Sequence, residues 1–287
     1  MPRVDEALFL DGRGMTALPG SLRGSAGVRH LDVRANRLAS LPAWLAELPA
    51  LESLSIGGNP LPGIPAEVTA LTGLRHLYVH ELRLAAVPEE LAALTELRTL
   101  DLGHNRLSTL PPSVARLTAL ETLYLADNRL TMLPEALRGL RALRYLGATD
   151  NGLTDLPAWI GELERLVELR LYRNALTALP AAIGRLRALR ELHVRDNRVA
   201  ALPASVGELG DLRELDLRNN ALTAVPAALG RLARLRVLDL RGNRLAELPD
   251  ALGDLPALEK LDLRWNRFVD LPAAAAPLRE RGCVVLA

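Results

Sequence analysis

The sequence predicts an α/β solenoid in which one strand, one turn and one short helix are repeated about twelve times. Three observations predict this fold: asparagine recurs every 23 residues, leucine alternates with other residues before each asparagine, and proline stands six residues after each asparagine position. So strict a period is typical of stacked structural units. Leu82 breaks the series once, and its members are Asn36, Asn59, Asn105, Asn128, Asn151, Asn174, Asn197, Asn220, Asn243 and Asn266.

The residues before each asparagine predict a short β-strand. In residues 100–122, for example, Leu100 and Leu102 alternate with Asp101 and Gly103. Alternation with a period of two indicates a strand that buries one face and exposes the other. The residues six, four and two positions before each asparagine are therefore predicted to point outward from the sheet.

Asparagine is predicted to end each strand and to hold the turn that follows. Its side-chain amide has two donors and an acceptor, and it can bond backbone groups of its own turn and of the neighbouring repeat. Backbone groups left buried and unpaired would cost about 1–3 kcal/mol each. Leu82 cannot make these bonds, so the sequence predicts a looser or rearranged turn at His80, Glu81 and Leu82.

Proline predicts the start of a short helix after each turn. Pro111 suits the first position of a helix because its missing N–H leaves no bond unmade there. Val114, Leu117 and Leu120 follow with the spacing of one helical face. One or two turns of helix are unstable alone in water, so the repeats are predicted to persist only by stacking.

The combined pattern L-x-x-L-x-L-x-x-N-x-L-x-x-L-P-x-x-(L/I/V)-x-x-L resembles the leucine-rich repeat from Leu8 to Leu286. More narrowly, it is similar to the intracellular 23-residue class of Ras-suppressor-type and plant Ras-group-related proteins. The resemblance implies a horseshoe with a parallel β-sheet on the concave face and short helices or 3-10 turns on the convex face. It also implies protein binding as the usual activity.

The uninterrupted period predicts a single domain, residues 1–287. Residues 1–30 are expected to form an N-terminal capping repeat, residues 31–276 the regular repeats, and residues 277–287 a terminal half repeat with a thirteenth strand. An uncapped parallel edge can pair with another chain. This strand therefore suggests either a homodimer through the C-terminal edge or a place within something longer.

Composition narrows the classes of partner. The chain has 35 basic and 34 acidic residues and a net charge of +1, which gives no general attraction to nucleic acid or to an anionic membrane. It has no apolar stretch of about 18 residues, and its first six residues lack the pattern of a secretory signal. Cys283 is the single cysteine, so no intrachain disulfide can form, and a reducing cytoplasm is expected.

Aromatic residues and histidines collect on the predicted concave face, which makes it the candidate binding surface. All five histidines and all four tyrosines, together with Phe9 and Trp265, occupy its outward or turn positions. Exposed tyrosine and tryptophan are typical anchors of protein interfaces, although strand preference alone also favours aromatic residues. The predicted partner-binding residues are Tyr78, His80, His104, Tyr124, Asp127, Tyr145, Thr149, Arg170, Tyr172, Arg173, His193, Arg195, Arg218, Arg241, Arg264 and Trp265.

A shallow recess is predicted near the centre of this face. Tyr124, Tyr145 and Tyr172 lie on three successive strands, and the middle strand carries the small residues Gly147 and Ala148. Small residues ringed by tyrosines would make a pocket for a partner side chain. The alternative is a repeat that has drifted in sequence and packs less well.

Columns of opposite charge run across the later strands. Their members are Asp216, Asp239, Asp262, Glu168, Glu191, Glu214, Arg195, Arg218, Arg241 and Arg264. Neighbouring columns are expected to pair with each other, and exposed pairs contribute only about 0–1 kcal/mol, so their value would lie in steering a charged partner. Arg170, Arg173 and Arg195 lie where the acidic column thins and are expected to reach outward.

No complete catalytic motif is present in the sequence, which predicts a protein without enzymatic activity or cofactor. One weaker alternative remains, because the turn residues Glu81, His104, Asp127 and Asp150, with His80 beside them, could hold a divalent metal. The favoured interpretation is a cytoplasmic protein–protein interaction module, a signalling regulator or scaffold, with no nucleic-acid or membrane partner. The second interpretation is a structural unit that assembles through its C-terminal edge.

Overall fold

A computed structural model describes residues 6–287 of the chain. The start of the predicted N-terminal cap, and most of the segment considered as a secretory signal, lie outside the described residues. Within them, no helix is long and apolar enough to cross a membrane.

Thirteen parallel strands follow one another in chain order, as the sequence predicts. From the second strand to the twelfth the middle residue is buried, and in the register each residue pairs with the one 23 positions away, as Leu100 does with Leu123. The strands are β1 (Ala7–Phe9), β2 (His30–Asp32), β3 (Ser53–Ser55), β4 (His76–Tyr78), β5 (Thr99–Asp101), β6 (Thr122–Tyr124), β7 (Tyr145–Gly147), β8 (Glu168–Arg170), β9 (Glu191–His193), β10 (Glu214–Asp216), β11 (Val237–Asp239), β12 (Lys260–Asp262) and β13 (Val284–Leu286).

The predicted short helices are mostly 3-10 helices of five residues. Two segments are α-helical, α1 (Ala66–Thr69) and α2 (Ala275–Glu280). The 3-10 helices are Gly20–Leu22, Ala43–Glu47, Glu89–Ala93, Pro112–Arg116, Glu135–Gly139, Ala158–Glu162, Ala181–Arg185, Ala204–Glu208, Ala227–Arg231 and Asp250–Asp254. The repeat proline stands one position earlier than predicted: Pro111 has extended backbone angles and precedes its helix.

The helices of neighbouring repeats approach so closely that a glycine is needed between them. A Cβ atom at Gly207 would lie 2.2 Å from the carbonyl oxygen of Ala228, where no side chain fits. Gly161, Gly184 and Gly230 meet their neighbours at 2.4–2.5 Å in the same way. The glycine that recurs in these helices is therefore structural.

The asparagine ladder is present in the structure. The amide nitrogen of Asn105 donates to the carbonyl oxygens of Val79, Leu102 and Gly103 at 2.9–3.0 Å. Its amide oxygen accepts the backbone N–H groups of two residues of the preceding repeat, at 2.9 and 3.1 Å. Each asparagine thus joins two repeats through groups that would otherwise be buried without partners.

The asparagine ladder is interrupted at Leu82. Its side chain is buried at the position where other repeats have the asparagine side-chain amide. Leu84 donates its N–H to Asn105, but its counterpart Leu61, one repeat earlier, has no acceptor for its N–H among the described residues. Arg83 adopts a left-handed φ of 57°, which among the equivalent described residues is shared only by Gly14, at φ 68°, in the first repeat, where Arg13 stands in the asparagine position. The predicted rearrangement is confirmed, and it extends one residue beyond the turn named from the sequence.

The described residues pack as two compact units. The first extends to Leu130 and includes Pro134–Leu143, so it contains β1 to β6. The second consists of Thr131–Leu133 and Arg144–Ala287 and contains β7 to β13. Each has a core made almost wholly of leucine, valine and isoleucine. That the whole chain forms one domain stays a prediction.

Candidate partner-binding site

The first unit carries a groove of about 460 Å³ on the face of the sheet opposite its leucine core. This face, predicted from the sequence to be concave, is called the open face below. The groove crosses β1 to β6 and is lined by Phe9, His30, Leu31, Asp32, Arg34, Ser53, Ser55, Tyr78, His80, Asp101 and Tyr124. Three of the predicted binding residues, Tyr78, His80 and Tyr124, are among them.

The floor of the groove is β3, whose outward residues Ser53 and Ser55 are both small, and Gly57 follows the strand. In the sheet register, Ser55 lies between Asp32 on β2 and Tyr78 on β4. Neighbouring strands are about 4.8 Å apart. The missing side-chain volume on β3 therefore opens a depression between the taller side chains of the strands on either side.

His80 lies over one end of this floor. A Cβ atom at Gly57 would lie 2.7 Å from both Cε1 and Nε2 of His80, so the ring occupies space that only glycine leaves. Nδ1 of His80 is 3.4 Å from Oδ2 of Asp101, a charge contact without hydrogen-bond geometry. The Asp101 carboxylate raises the pKa of His80 above 6.5, against the opposing effect of burial, and Glu81 reinforces the increase.

Two other titratable groups beside the floor stay neutral at pH 7. Burial raises the pKa of Tyr78 above 10.0, and Tyr124 and Asp101 add to the increase. Burial lowers the pKa of His76 below 6.5, and the charge of His30 lowers it further. Tyr78 therefore offers the groove a phenol that can exchange hydrogen bonds with a neutral polar group, and His76 lies on the same strand outside the groove lining.

The open face of the second unit is arranged differently, because arginines of the same chain lie over its aromatic rings. A guanidinium placed in this way is attracted by the ring quadrupole. The pairs are Arg170 with Tyr145 at 5.7 Å from the ring centroid, Arg195 with Tyr172 at 4.3 Å, Arg173 with Tyr172 at 6.0 Å and Arg264 with Trp265 at 5.5 Å. Trp265 is nevertheless 70% exposed.

The charged columns of the second unit pair with each other, as predicted. Nη2 of Arg241 is 2.6 Å from Oδ2 of Asp239, and Nη2 of Arg264 is 2.7 Å from Oδ2 of Asp262. Burial by itself would raise the pKa of Asp262. The hydrogen bonds from Arg264 and the positive charge of Arg241 have the larger combined effect and hold this pKa below 3.8. Arg218 differs, because its buried Nε has no hydrogen-bond partner.

Arg170, Arg173 and Arg195, which are predicted to reach outward, also contact groups of the chain itself, and their side chains are 40%, 61% and 30% exposed. Arg170 binds Glu168 on its own strand, and Nη1 of Arg173 is 2.9 Å from Oδ1 of Asp150. The Arg195 guanidinium lies over Tyr172, as described above. These arginines satisfy carboxylates and rings of the chain itself, which the thinning of one acidic column did not indicate.

The predicted recess over β7 is filled within the second unit. A Cβ atom at Gly147 would lie 2.9 Å from the hydroxyl oxygen of Tyr145 and 3.0 Å from its Cε1, so the tyrosine ring covers the glycine of its own strand. Ala148 is fully buried, and Thr149, a predicted binding residue, is only 4% exposed. Thr149 is therefore not accessible to a partner in this structure.

The turn residues do not come together as a metal site. His104 Nδ1 is 2.9 Å from Asp127 Oδ2, and Asp150 is bound by Arg173. Within residues 6–287 the acidic and histidine side chains close enough to share a cation are instead Glu168, Glu191 and His193, whose ligand atoms lie within 4.8 Å of one another. His193 already contacts Glu191, with Nε2 3.2 Å from Oε2.

Several groove residues were not among the predicted binding residues: Phe9, His30, Asp32, Arg34, Ser53, Ser55 and Asp101. The signal that would have found them is present in the sequence. Ser53, Ser55 and, just after the strand, Gly57 are all small, and larger side chains such as His30 and Tyr78 stand on the strands to either side of β3. The rule that singled out Gly147 applies more strongly here.

Comparison with known families identifies the repeat. A family described as Leucine-rich repeat region matches residues 134–225, and one described as Leucine rich repeat matches residues 95–153 and 210–268. The chain is a leucine-rich repeat protein. No curated protein sequence matches this leucine-rich repeat chain.

Solved structures share its fold. A leucine-rich repeat protein of Leptospira interrogans is 28% identical with a TM-score of 0.71, over 95% of this chain and 81% of that one. The plant peptide hormone receptor RGFR1, solved in complex with RGF2, is 27% identical with a TM-score of 0.79, over 94% of this chain and 45% of the receptor. An internalin (InlF) of Listeria monocytogenes is 24% identical with a TM-score of 0.75, over 98% and 86% of the two chains, which shows the fold alone.

Proposed function

We propose that this leucine-rich repeat protein is a non-enzymatic interaction module whose first-unit groove binds an extended segment of a protein or peptide. The observation that carries the proposal is the pair of small outward residues on β3, Ser53 and Ser55, between walls of aromatic and polar side chains. A groove across parallel strands gives a partner aromatic anchors and hydrogen-bonding groups in one place. The complex of the similar receptor RGFR1 with RGF2 supports a peptide or protein as the class of partner.

The predicted binding residues then divide into two groups. Tyr78, His80 and Tyr124 belong to the groove and are proposed as direct contacts. The arginines and Trp265 of the second unit are proposed to steer a charged partner, since their partners within the chain already satisfy most of them. Substitution of a groove residue should therefore change the rate at which the partner dissociates. Substitution of a charged residue of the second unit should change the rate at which the partner associates.

The proposal is tested by selecting random twelve-residue peptides on the purified protein and measuring their affinity for two matched variants. Ser55→Tyr fills the floor with a side chain that the same strand position carries at Tyr78 and Tyr124. Ser108→Tyr adds the same group at an exposed position outside the groove. Selected peptides should bind Ser108→Tyr like the wild type and should bind Ser55→Tyr at least about tenfold more weakly.

Peptides that bind both variants equally would show that the groove is not the binding site. Circular dichroism of both variants checks that the fold is unchanged. Tyr78→Ala removes an aromatic side chain from the groove wall without filling the floor. It should weaken the binding of the same peptides.

A second candidate function is self-association through β13. This strand pairs with β12, and the side chain of its first residue, Val284, is 55% exposed. An exposed strand edge can pair with another chain. Light scattering over a concentration series tests the idea: a mass that stays at that of one chain at the highest concentration would remove it.

We also propose that the protein belongs to the intracellular 23-residue class and acts in the cytoplasm as a signalling regulator or scaffold. The unbroken period and the single cysteine, Cys283, which is buried and unpaired, support this assignment. Fractionation of the source cells followed by immunoblotting tests it, and recovery of the protein outside the cytoplasm would exclude it.

A further inference from the structure

We propose that Asp101, the backbone at Gly103 and the ring of Tyr78 form a binding site for an arginine side chain of the partner. This inference rests on the proposed function, since the site lies in the same groove. It adds the chemical class of the group that the groove recognises.

The second unit shows how this repeat binds a guanidinium. In β11, Oδ1 of Asp239 accepts the N–H of Arg241 at 3.1 Å, and Oδ2 binds the Arg241 guanidinium at 2.6 Å. In β12, Asp262 and Arg264 repeat this arrangement at 3.4 and 2.7 Å. The aspartate stands four positions before the asparagine and the arginine two positions before it.

Asp101 occupies the aspartate position of this aspartate–arginine pair, but no arginine follows it two residues later. Its Oδ1 accepts the N–H of Gly103 at 2.9 Å, so the carboxylate is oriented as in Asp239 and Asp262. Glycine stands where the arginine would be. The aspartates at this position in the repeat are Asp32, Asp101, Asp216, Asp239 and Asp262, and all except Asp101 have arginine two residues later.

Few atoms surround the position that the arginine would occupy, although Gly103 itself is buried. A Cβ atom at Gly103 would have only two atoms of other residues within 4 Å, Oδ1 of Asp101 at 3.1 Å and the carbonyl oxygen of Ala126 at 3.5 Å. The neighbouring outward residue on β6 is Ala126, which is also small. A side chain entering from solvent can therefore reach Oδ2 of Asp101.

Two tyrosines flank the carboxylate. In the register Asp101 pairs with Tyr78 on β4 and with Tyr124 on β6, so each ring stands on a neighbouring strand, about 4.8 Å away. In the described part of the chain no arginine lies over Tyr78, whereas Tyr145, Tyr172 and Trp265 of the second unit are each covered by one. A planar guanidinium matches both partners, because it binds carboxylate through a fork of donors and stacks on aromatic faces.

His80, the nearest group of the chain that can carry a positive charge, does not bind the Asp101 carboxylate as an arginine would. His80 approaches Oδ2 of Asp101 at 3.4 Å without forming a hydrogen bond of good geometry. The side chain of Asp101 is 23% exposed, so its charge is partly withdrawn from water. A charge-assisted hydrogen bond from a partner would be stronger there than on an open surface.

The test is an NMR titration of the ¹⁵N-labelled protein with a doubly blocked Gly-Gly-Arg-Gly-Gly peptide and with its citrulline analogue, which has the same shape and no charge. The Gly103 amide should shift with the arginine peptide, and the citrulline peptide should bind at least about tenfold more weakly. Asp101→Asn removes the charge, and Gly103→Arg supplies the arginine from the chain itself. Either change should weaken binding by a similar factor.

Matched controls add or remove the same charges elsewhere. Gly73→Arg introduces an arginine where a Cβ meets nothing within 4 Å, and Asp211→Asn removes an exposed carboxylate of the second unit. Both should bind like the wild type. Equal binding of the two peptides, or wild-type affinity of Asp101→Asn, would overturn the arginine site.

This outcome is distinguishable from failure of the proposed function. Library peptides that lose affinity for Ser55→Tyr but keep it for Asp101→Asn would retain the groove as a binding site and reject arginine as its ligand. Library peptides that are sensitive to both variants and carry arginine support both proposals.

Discussion

The open faces of the two units carry different side chains at the same repeat positions. In the second unit these side chains pair with each other, and in the first unit they leave a groove. In the second unit, Asp239 and Asp262 hold their own arginines, and the rings of Tyr145, Tyr172 and Trp265 lie under guanidinium groups. In the first unit only Asp32 and Arg34 repeat this pairing, the other equivalent positions include Ser55, Gly57, Gly103 and Ala126 beside tyrosines, and a groove of about 460 Å³ is present. A face whose charges are already paired has less to offer a partner than one with an uncovered ring and carboxylate.

The difference follows from side-chain volume rather than from the backbone. β3 and β11 have the same length, direction and register spacing. Their outward residues differ: Ser53 and Ser55 on β3, and Val237 and Asp239 on β11. Binding capacity on a repeat scaffold is therefore set by a few outward residues, while the buried leucines keep the scaffold constant.

The largest expected contrast between the faces is in stability. Asp262→Ala should lower the free energy of unfolding by about 2–3 kcal/mol, because it leaves Arg264 and Arg241 without the fully buried carboxylate that binds them. Asp101→Ala should cost less than about 1 kcal/mol, since no arginine of the chain depends on it. Urea unfolding measures the free energy of unfolding of both variants. Equal decreases in the two variants would contradict the proposed difference between the two faces.

A smaller effect is expected at the broken asparagine position of the first unit. Arg83→Gly should raise the free energy of unfolding by about 1 kcal/mol, because glycine adopts the left-handed φ of 57° without the steric cost of a Cβ atom. Arg106→Gly changes the same position of the next repeat, where the backbone is not left-handed, and should instead lose about 0.5 kcal/mol. Stabilisation of both variants would indicate a cause other than the backbone at Leu82.

The smallest expected effect is a pH dependence at His80. Its folded pKa is raised above 6.5, so its contribution to stability is complete below the unfolded value and is lost as the pH rises through the folded value. The groups that face it are Asp101, Glu81 and Arg34. The destabilisation caused by His80→Gln should therefore be greater at pH 5.5 than at pH 8.5.

The Asp101→Asn background supplies the control for this measurement. The carboxylate is the main cause of the raised pKa, so its removal should flatten the difference between the two pH values. A pH dependence that persists unchanged in this background would assign the effect to another group.

Much of the fold was predictable because it depends on short-range pattern. The strand at Leu100 and Leu102 follows from alternation, and the bonds of Asn105 follow from the chemistry of an amide at the end of a strand. The helix type was less predictable. Each helix has five residues after the proline and contains the close-packed glycine, as Ala204–Glu208 contains Gly207, and that crowding comes from the neighbouring repeat.

The candidate site was predictable only in part. Tyr78, His80 and Tyr124 were placed on the correct face by their distance from the asparagine position. The predicted recess at Gly147 failed because the ring of Tyr145 turns along its own strand and covers the glycine, a choice of rotamer that sequence spacing does not encode. The contact of Arg170 with Glu168 was not predicted for a similar reason, since it depends on how two side chains of one strand are placed.

The sequence by itself determined the repeat, its 23-residue register and the face on which each aromatic residue and histidine lies, because these depend on periods of two and 23 along the chain. The tertiary structure decided which outward side chains find partners and which leave a groove. Contacts between side chains on neighbouring strands join residues about 23 positions apart, and their outcome depends on volume and rotamer. Gly57 under the ring of His80, 23 positions along the chain, owes its role to such a contact.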